Sequence, residues 1–516
     1  MTRAGPACMT CREKCRKCDR GRPNCQRCVS KGLVCQGYPD QFRFCGIASR
    51  GKWKNARIPA SEKTALPSPP GPSPPGLQTT TITTSQESTP PALVVPRTSR
   101  SMAIESVLLQ PVPDVVDELE SLLASAQTKA LLHHCMFHES IHDSLMAPHQ
   151  IAEIGDEQDS PYRAYILPLA KKQIGLLYAV LGLSAVHLGR LTDDRTLIET
   201  TSVEYRLKAI RALSEQVRKG QNTSLSEEEE DCVFATIQVM LLHDIAESGI
   251  SEHGIHITGA MSVCKPTLIS EGLNGRRQRA VFFIGNLAWL DIIRSFAGTR
   301  RLCFTRDIRE MVASAGGDRF ELVNGCPREI FLIIGSVLEK AKEYKMGWTT
   351  DEDFRSTLMA AKFELHAWDA KSKTYPSPDP RWTNVATAFQ YACILHVHRL
   401  LDPTQPASSP EIQAAVAQVL DATADIPADC SLIELLILPL FMAGADTLSR
   451  HSQFYVLSRF RDIERRSEMR NPVPADLLQQ VWTARAAQGP GQEGNISWRD
   501  FTCFPELPRQ HDYLII

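Results

Sequence analysis

The chain has 516 residues, 43% hydrophobic and 22% charged, which excludes a wholly disordered or fibrous protein and leaves room for several domains. Its net charge of −2 hides an asymmetry: residues 1–57 carry fourteen lysines and arginines against three acids, a net +11, leaving −13 on the other 459. A basic head on a mildly acidic body suits a polyanionic partner, and no uncharged apolar run approaches the roughly eighteen residues of a membrane span.

The head comes first. No apolar core of a secretory signal precedes it, so an intracellular location is expected, and the sequons at Asn222 and Asn495 read as chance. Eight of sixteen cysteines fall within the first 45 residues. Without export, such clustering points to metal ligands rather than disulfides. Cys8, Cys11, Cys18, Cys25, Cys28 and Cys35 spell C-x2-C-x6-C-x6-C-x2-C-x6-C, one unit written twice. Zinc takes four tetrahedral thiolates, so two ions need eight contacts, and six cysteines suffice only if two of them bridge. The competing readings are one zinc on the two C-x2-C pairs, or a disulfide knot. Met9, Val29, Leu33 and Val34 are the only other clearly apolar residues of the stretch. Metal must therefore supply the folding energy, on the order of 10–16 kcal/mol for a structural zinc site. Each C-x2-C is expected to open a short helix. The candidate DNA contacts are Arg12, Lys14, Arg16 and Lys17 from the first, with Arg27 and Lys31 at the second. Arginine and lysine suit guanine O6 and N7 in the major groove, and helix N-termini suit phosphates.

These residues resemble the DNA-binding head of the fungal binuclear zinc cluster transcription factors. The likeness lies in Arg12 after the second cysteine, Lys17-Cys18-Asp19, the "RPNC" loop with Pro23, and "GLVCQGY". It implies that Cys8 and Cys25 bridge, with Cys8, Cys11, Cys18 and Cys25 on one zinc and Cys25, Cys28, Cys35 and Cys8 on the other. It implies too that Pro23 fixes the joining loop and that targets are GC-rich, CGG-like triplets in paired half-sites. One departure stands out: where the family has two adjacent basic residues, this chain has Lys14 and Cys15, and Cys15 reads as a spare thiol on the helix surface.

After Cys35, aromatics mix with Arg43, Arg50, Lys52, Lys54 and Arg57, a basic arm for phosphates and nuclear import. Residues 58–98 hold ten prolines where average usage gives about two. Residues 58–116 are therefore expected to form a disordered linker, and the domain division is 1–57, 58–116 and 117–516.

From residue 117 the pattern is helical. "DVVDELESLLASAQTKALLHHCMFHESIH", "GLLYAVLGLSAVHLGRL", "DCVFATIQVMLLHDIAE" and "RQRAVFFIGNLAWLDIIRSFAG" all repeat apolar residues at i, i+3, i+4. So do "VEYRLKAIRALSEQVRKG", "PREIFLIIGSVLEKAKEY", "NVATAFQYACILHVHRLLD" and "ADLLQQVWTARAAQ". The fold expected is mostly α: a small zinc cluster domain and a large all-α body of at least ten helices. "RRLCFTRDI" is the one strand candidate, and no heptad repeat marks a coiled coil. "LLILPLFMAGA" from Leu435, the longest uncharged apolar run, reads as buried core. "SPYRAYILPLAKKQIGLLYAVLGLSAVHLGR", "FQYACILHVHRLLDP" and "LLILPLFMAGADTLSR" resemble blocks of the fungal-specific transcription factor regulatory domain. That resemblance implies regulation by ligand or partner and transfers no residue roles.

Two motifs invite other readings. "HESIH", His138 to His142, matches the zinc-protease pattern H-E-x-x-H, but its longer metzincin form fails, and histidines beside a core face are the better reading. "SLSEEEEDC" could be an acidic activation segment, yet Ser226 and Glu229 spell a capping box, so a helix start is expected. The whole reads as a nuclear, sequence-specific DNA-binding regulator of RNA polymerase II transcription, controlling a metabolic gene set, and not an enzyme. Its expected partners are double-stranded DNA, two zinc ions, transcriptional co-regulators and a second copy of itself, with no membrane. A zinc-held protein-interaction module without DNA affinity is the alternative.

Overall fold

The computed structural model describes residues 10–11, 16–19, 25–33, 35, 115–137, 162–223, 225–251, 257, 275–298, 301–489, 494–502 and 512–515. The basic arm lies outside the described residues, as does the proline-rich segment up to residue 114. The chain divides into two compact units, of which one is Cys45–Glu118, described only in its last four residues.

Seventeen α-helices are described. α1 is Gln26–Ser30 in the head. The body continues with α2 Val115–Ala124, α3 Ala126–Phe137, α4 Leu167–Ala170, α5 Ile174–Leu191, α6 Ser202–Asn222 and α7 Glu227–Glu247. After the short strand β1 Ile250–Ser251 come α8 Gly275–Ala297, α9 Arg306–Ala315, α10 Asp318–Asn324, α11 Arg328–Lys345 and α12 Asp351–Ala367. α13 Arg381–Leu401, α14 Pro410–Ala424, α15 Ile437–Asp446, α16 Arg450–Ser467, α17 Val473–Ala486 and β2 Asp512–Tyr513 complete it. The expectation of an all-α body holds.

Helix boundaries follow local chemistry. Ser226 caps α7 with its hydroxyl on the Glu229 N–H, while the Glu229 carboxylate accepts the Ser226 N–H at 2.9 Å. Glu227 to Glu230 occupy the first turn, where the helix dipole favours negative charge, so the acidic run is a helix start. The continuous periodicity of residues 115–137 breaks at Ser125, between α2 and α3.

α5 packs against α3, α6 and α7; α13 packs against α12, α14 and α15. α8 links the two groups, touching α7 on one side and α9, α10 and α11 on the other. Two helical stretches, Ile174–Leu191 and Gln278–Ala297, are long and apolar enough to cross a membrane, which corrects the sequence expectation that none would be. They are 78% and 94% buried inside the body, so their apolar surface is spent on helix packing.

The strand candidate is overturned. Residues 301–305 are irregular and α9 begins at Arg306. The N–H groups of Cys303 and Phe304 donate to the Asp291 carboxylate at 2.6 and 3.2 Å instead of to a sheet. Asp291 is buried on α8 and also holds Arg294 at 2.7 Å. Among the described residues the only strands are the antiparallel pair β1 and β2, with Ile250 opposite Tyr513 and Ser251 opposite Asp512. Gly249 precedes β1 with a φ of +69°, and a Cβ there would stand 2.0 Å from Asn471 Oδ1, so glycine is required. The Asn471 amide in turn donates to the Leu514 carbonyl at 2.8 Å.

Candidate metal centre and DNA-binding head

The second cysteine unit builds a short helix at both ends. Cys25 is the N-cap of α1, and its sulfur accepts the Cys28 N–H at 3.3 Å. At the other end Gly32 N–H donates to Val29 and Leu33 N–H to Cys28, at 3.2 and 2.9 Å, the paired bonds of a Schellman motif. Gly32 has a φ of +62°, a left-handed conformation that glycine adopts without a side-chain penalty. This turn sends Leu33 and Cys35 back to the sulfurs, where they, like Cys18, pack against Cys11, Cys25 and Cys28.

The first unit is described at Thr10 and Cys11, both helical and buried, and from Arg16 to Asp19. Arg16 N–H donates to the Cys11 carbonyl at 2.8 Å. Asp19 then joins the two halves: its carboxylate accepts the Gln26 N–H at 3.0 Å and the Arg27 N–H at 3.1 Å, at the N-terminus of α1. These are amides that a helix start leaves without intrahelical partners. Asp19 is thus a structural acid that sequence reasoning placed only as part of a likeness; an acid shortly before a C-x2-C helix was its one signal.

The sulfurs converge. Cys11, Cys25 and Cys28 are fully buried, with Cys11 Sγ 3.7 Å from Cys25 Sγ and 3.8 Å from Cys28 Sγ. A tetrahedron with zinc–sulfur bonds of about 2.3 Å has edges of about 3.8 Å, so the donor spacing fits zinc. Cys18, Asp19 and Cys25 form a second group, their ligand atoms within 4.8 Å of one another. The resemblance assigns Cys11 and Cys28 to different ions, whereas here their sulfurs lie in one trio. Cys8, Arg12, Lys14 and Cys15 lie outside the described residues.

The described basic residues divide. Arg16, Lys17 and Lys31 are exposed. Arg27 is half-buried and turns its Nη1 to Cys11 Sγ at 3.6 Å, where its charge would complement zinc-bound thiolates.

Cysteines of the body behave differently. Burial pushes the Cys232 and Cys393 thiols up to about 12, so they stay protonated and act as small core residues. "HESIH" lies outside the described residues; His134, one turn before it, is half-buried with its Nε2 3.0 Å from His187 Nδ1.

Comparison with known proteins matches residues 6–44 to the fungal Zn(2)-Cys(6) binuclear cluster domain and residues 136–516 to the fungal specific transcription factor domain. The chain is 22% identical to "Pestheic acid cluster transcriptional regulator 3" of Pestalotiopsis fici, across 99% of each chain. No solved structure matches.

Proposed function

We infer that this chain, which belongs to the fungal specific transcription factor family and is a transcription regulator rather than an enzyme, finds its genes by reading GC-rich, CGG-like sites in duplex DNA. Its N-terminal domain is of the kind that binds two zinc ions and DNA. Bound zinc supplies no reaction chemistry; it fixes the backbone of a head with almost no apolar core.

The ligands in this reading are Cys8, Cys11, Cys18, Cys25, Cys28 and Cys35, and the domains run 1–57, 58–116 and 117–516. The observation that carries it is the convergence of three buried sulfurs, with Cys11 at zinc-tetrahedron spacing from Cys25 and Cys28, in a head whose Arg16, Lys17 and Lys31 are exposed. Arg12 and Lys14 complete the base-reading set. Arg27, turned to a sulfur, acts here as a positioning charge. A head of net +11 favours phosphate contact over a purely protein-binding role. The protein works in the nucleus, with co-regulators and as a homodimer on paired half-sites. The name of the similar Pestalotiopsis regulator supports a metabolic gene set as its target.

Selection of bound sequences from a random duplex pool, with the zinc-loaded chain, tests this reading. Enrichment of CGG-like triplets is expected, with affinity falling steeply between about 50 and 200 mM salt. Zinc-dependent folding with no DNA retained at low salt would overturn it.

A further inference from the structure

We propose that the helical body contains a binding site for a small, uncharged aromatic molecule that carries a carbonyl-type hydrogen-bond acceptor, received by the side-chain amide of Asn286. A cavity of about 340 Å³ opens among α7, α8, α13, α15 and α16. That size lies in the range of small-molecule sites, about 300–1,000 Å³. Asn286, on α8, lines it. The residue is only 5% exposed, and its Nδ2 has no hydrogen-bond partner. A buried amide donor left unmade is unfavourable, and an acceptor arriving in the cavity would satisfy it.

The walls define the rest of the ligand. Trp289 and Phe389 meet edge-on with ring centroids 5.9 Å apart, and both line the cavity. Such faces receive flat rings in offset or edge-to-face contact. Leu242, Leu290 and Leu438 add an aliphatic lining, so most of the ligand must be apolar. Charge argues for a neutral molecule. The lining acid Glu434 has a side chain only 6% exposed and ion-paired with Arg466 at 2.8 Å, while the lining arginines Arg461 and Arg470 stand exposed. An anion in this cavity would therefore share it with a covered carboxylate, while the lining arginines keep their charge in solvent.

Asn286 also borders a second cavity, of about 400 Å³, next to Ala315 and Phe320. It lacks the tryptophan wall, so the first cavity is assigned. Because the site is defined without DNA, it stands or falls separately from the reading of the head.

Equilibrium dialysis of the full, zinc-loaded chain tests the proposal with three probes: 2-acetylnaphthalene, its acceptor-free analogue 2-ethylnaphthalene, and the anion 2-naphthoate. The ketone should bind at one equivalent and at least about tenfold more tightly than either other probe, since one such ratio corresponds to a single good polar contact. Asn286→Leu should erase the preference for the ketone while leaving the melting temperature equal or higher, because it removes an unsatisfied buried donor. Val323→Phe, which fills the first cavity, should weaken the ketone about tenfold, and Ala315→Phe, in the second, should not. Equal binding of ketone and hydrocarbon, tighter binding of naphthoate, no saturable binding, or loss of binding through Ala315→Phe alone would each overturn it.

Discussion

The backbone N–H of Arg16 donates to the carbonyl of Cys11 at 2.8 Å, and Leu33 repeats that bond to Cys28 at 2.9 Å. The two donors are seventeen residues apart, as are the two acceptors, so the duplication in the cysteine spacing is a duplication of backbone geometry. Gly32 sits inside the second bond. Placing an L side chain in its left-handed conformation costs roughly 1–2 kcal/mol. Gly32→Ala is expected to keep two zinc ions but weaken zinc affinity about five- to thirtyfold, read by competition with a chromophoric chelator. Unchanged affinity would show that the turn does not limit metal binding.

Asp19 ties the first half of the head to the helix of the second. Asp19→Ala removes the acceptor of two amides, and each lost bond is worth about 1 kcal/mol where solvent can partly replace it. Zinc affinity should drop about tenfold or more, and Asp19→Asn should recover part of that, since one oxygen still accepts. Equal affinities for all three proteins would count against the tie.

Metal removal separates the head from the body. The sulfur cluster of the head and the hydrophobic core of the body are distinct sets of residues. Chelation should abolish DNA binding while the main thermal transition of the body shifts by less than about 2 °C. A body transition that collapses with the metal would refute that independence.

Within the body, Asp291 is a buried group whose loss should be costly. It holds Arg294, itself buried, and two backbone N–H groups of residues 303–304. Asp291→Ala removes the carboxylate from a buried guanidinium and from two backbone amides, a loss of about 3–5 kcal/mol. Chemical denaturation of the full chain should show it, with Asp291→Asn intermediate; a loss under about 1 kcal/mol would contradict the network.

Acid should destabilise the body through His243. Burial, with Arg206 and Arg190 adding repulsion, pushes its imidazole from 6.5 down to about 3. The folded protein thus keeps this ring neutral, while the unfolded chain takes up a proton below about pH 6.5. Its stabilising contribution is whole above about pH 6.5 and drains away as pH falls toward 3, about 2 kcal/mol by pH 5. Burial shifts His396 and His398 in the same direction. The melting temperature should fall steadily from pH 7 to 5, less steeply in His243→Leu. A variant profile as steep as the parent's would rule His243 out.

What could be read from sequence divides by the range of the interactions involved. The cysteine cluster was legible because a metal specifies residue type and spacing locally, and the start of α7 because Ser226 and Glu229 are three residues apart. "RRLCF" looked like a strand because its alternation is local, while the partner that denies it a sheet, Asp291, sits in the preceding helix. Ile174–Leu191 was underrated as an apolar stretch because Tyr178, Ser184 and His187 interrupt its run without making it hydrophilic. The cavity at Asn286 left no trace in any one segment, since its walls come from helices spread between residues 238 and 479.

The pairing of Ile250–Ser251 with Asp512–Tyr513 has a consequence for biosynthesis. As the chain emerges from the ribosome, Gly249 and its neighbours must wait more than two hundred residues for the tail that covers them. Leu514 and Ile515 end up almost fully enclosed, so ribosomes that stall before this tail would release a body with an open seam, a natural substrate for chaperones and proteases.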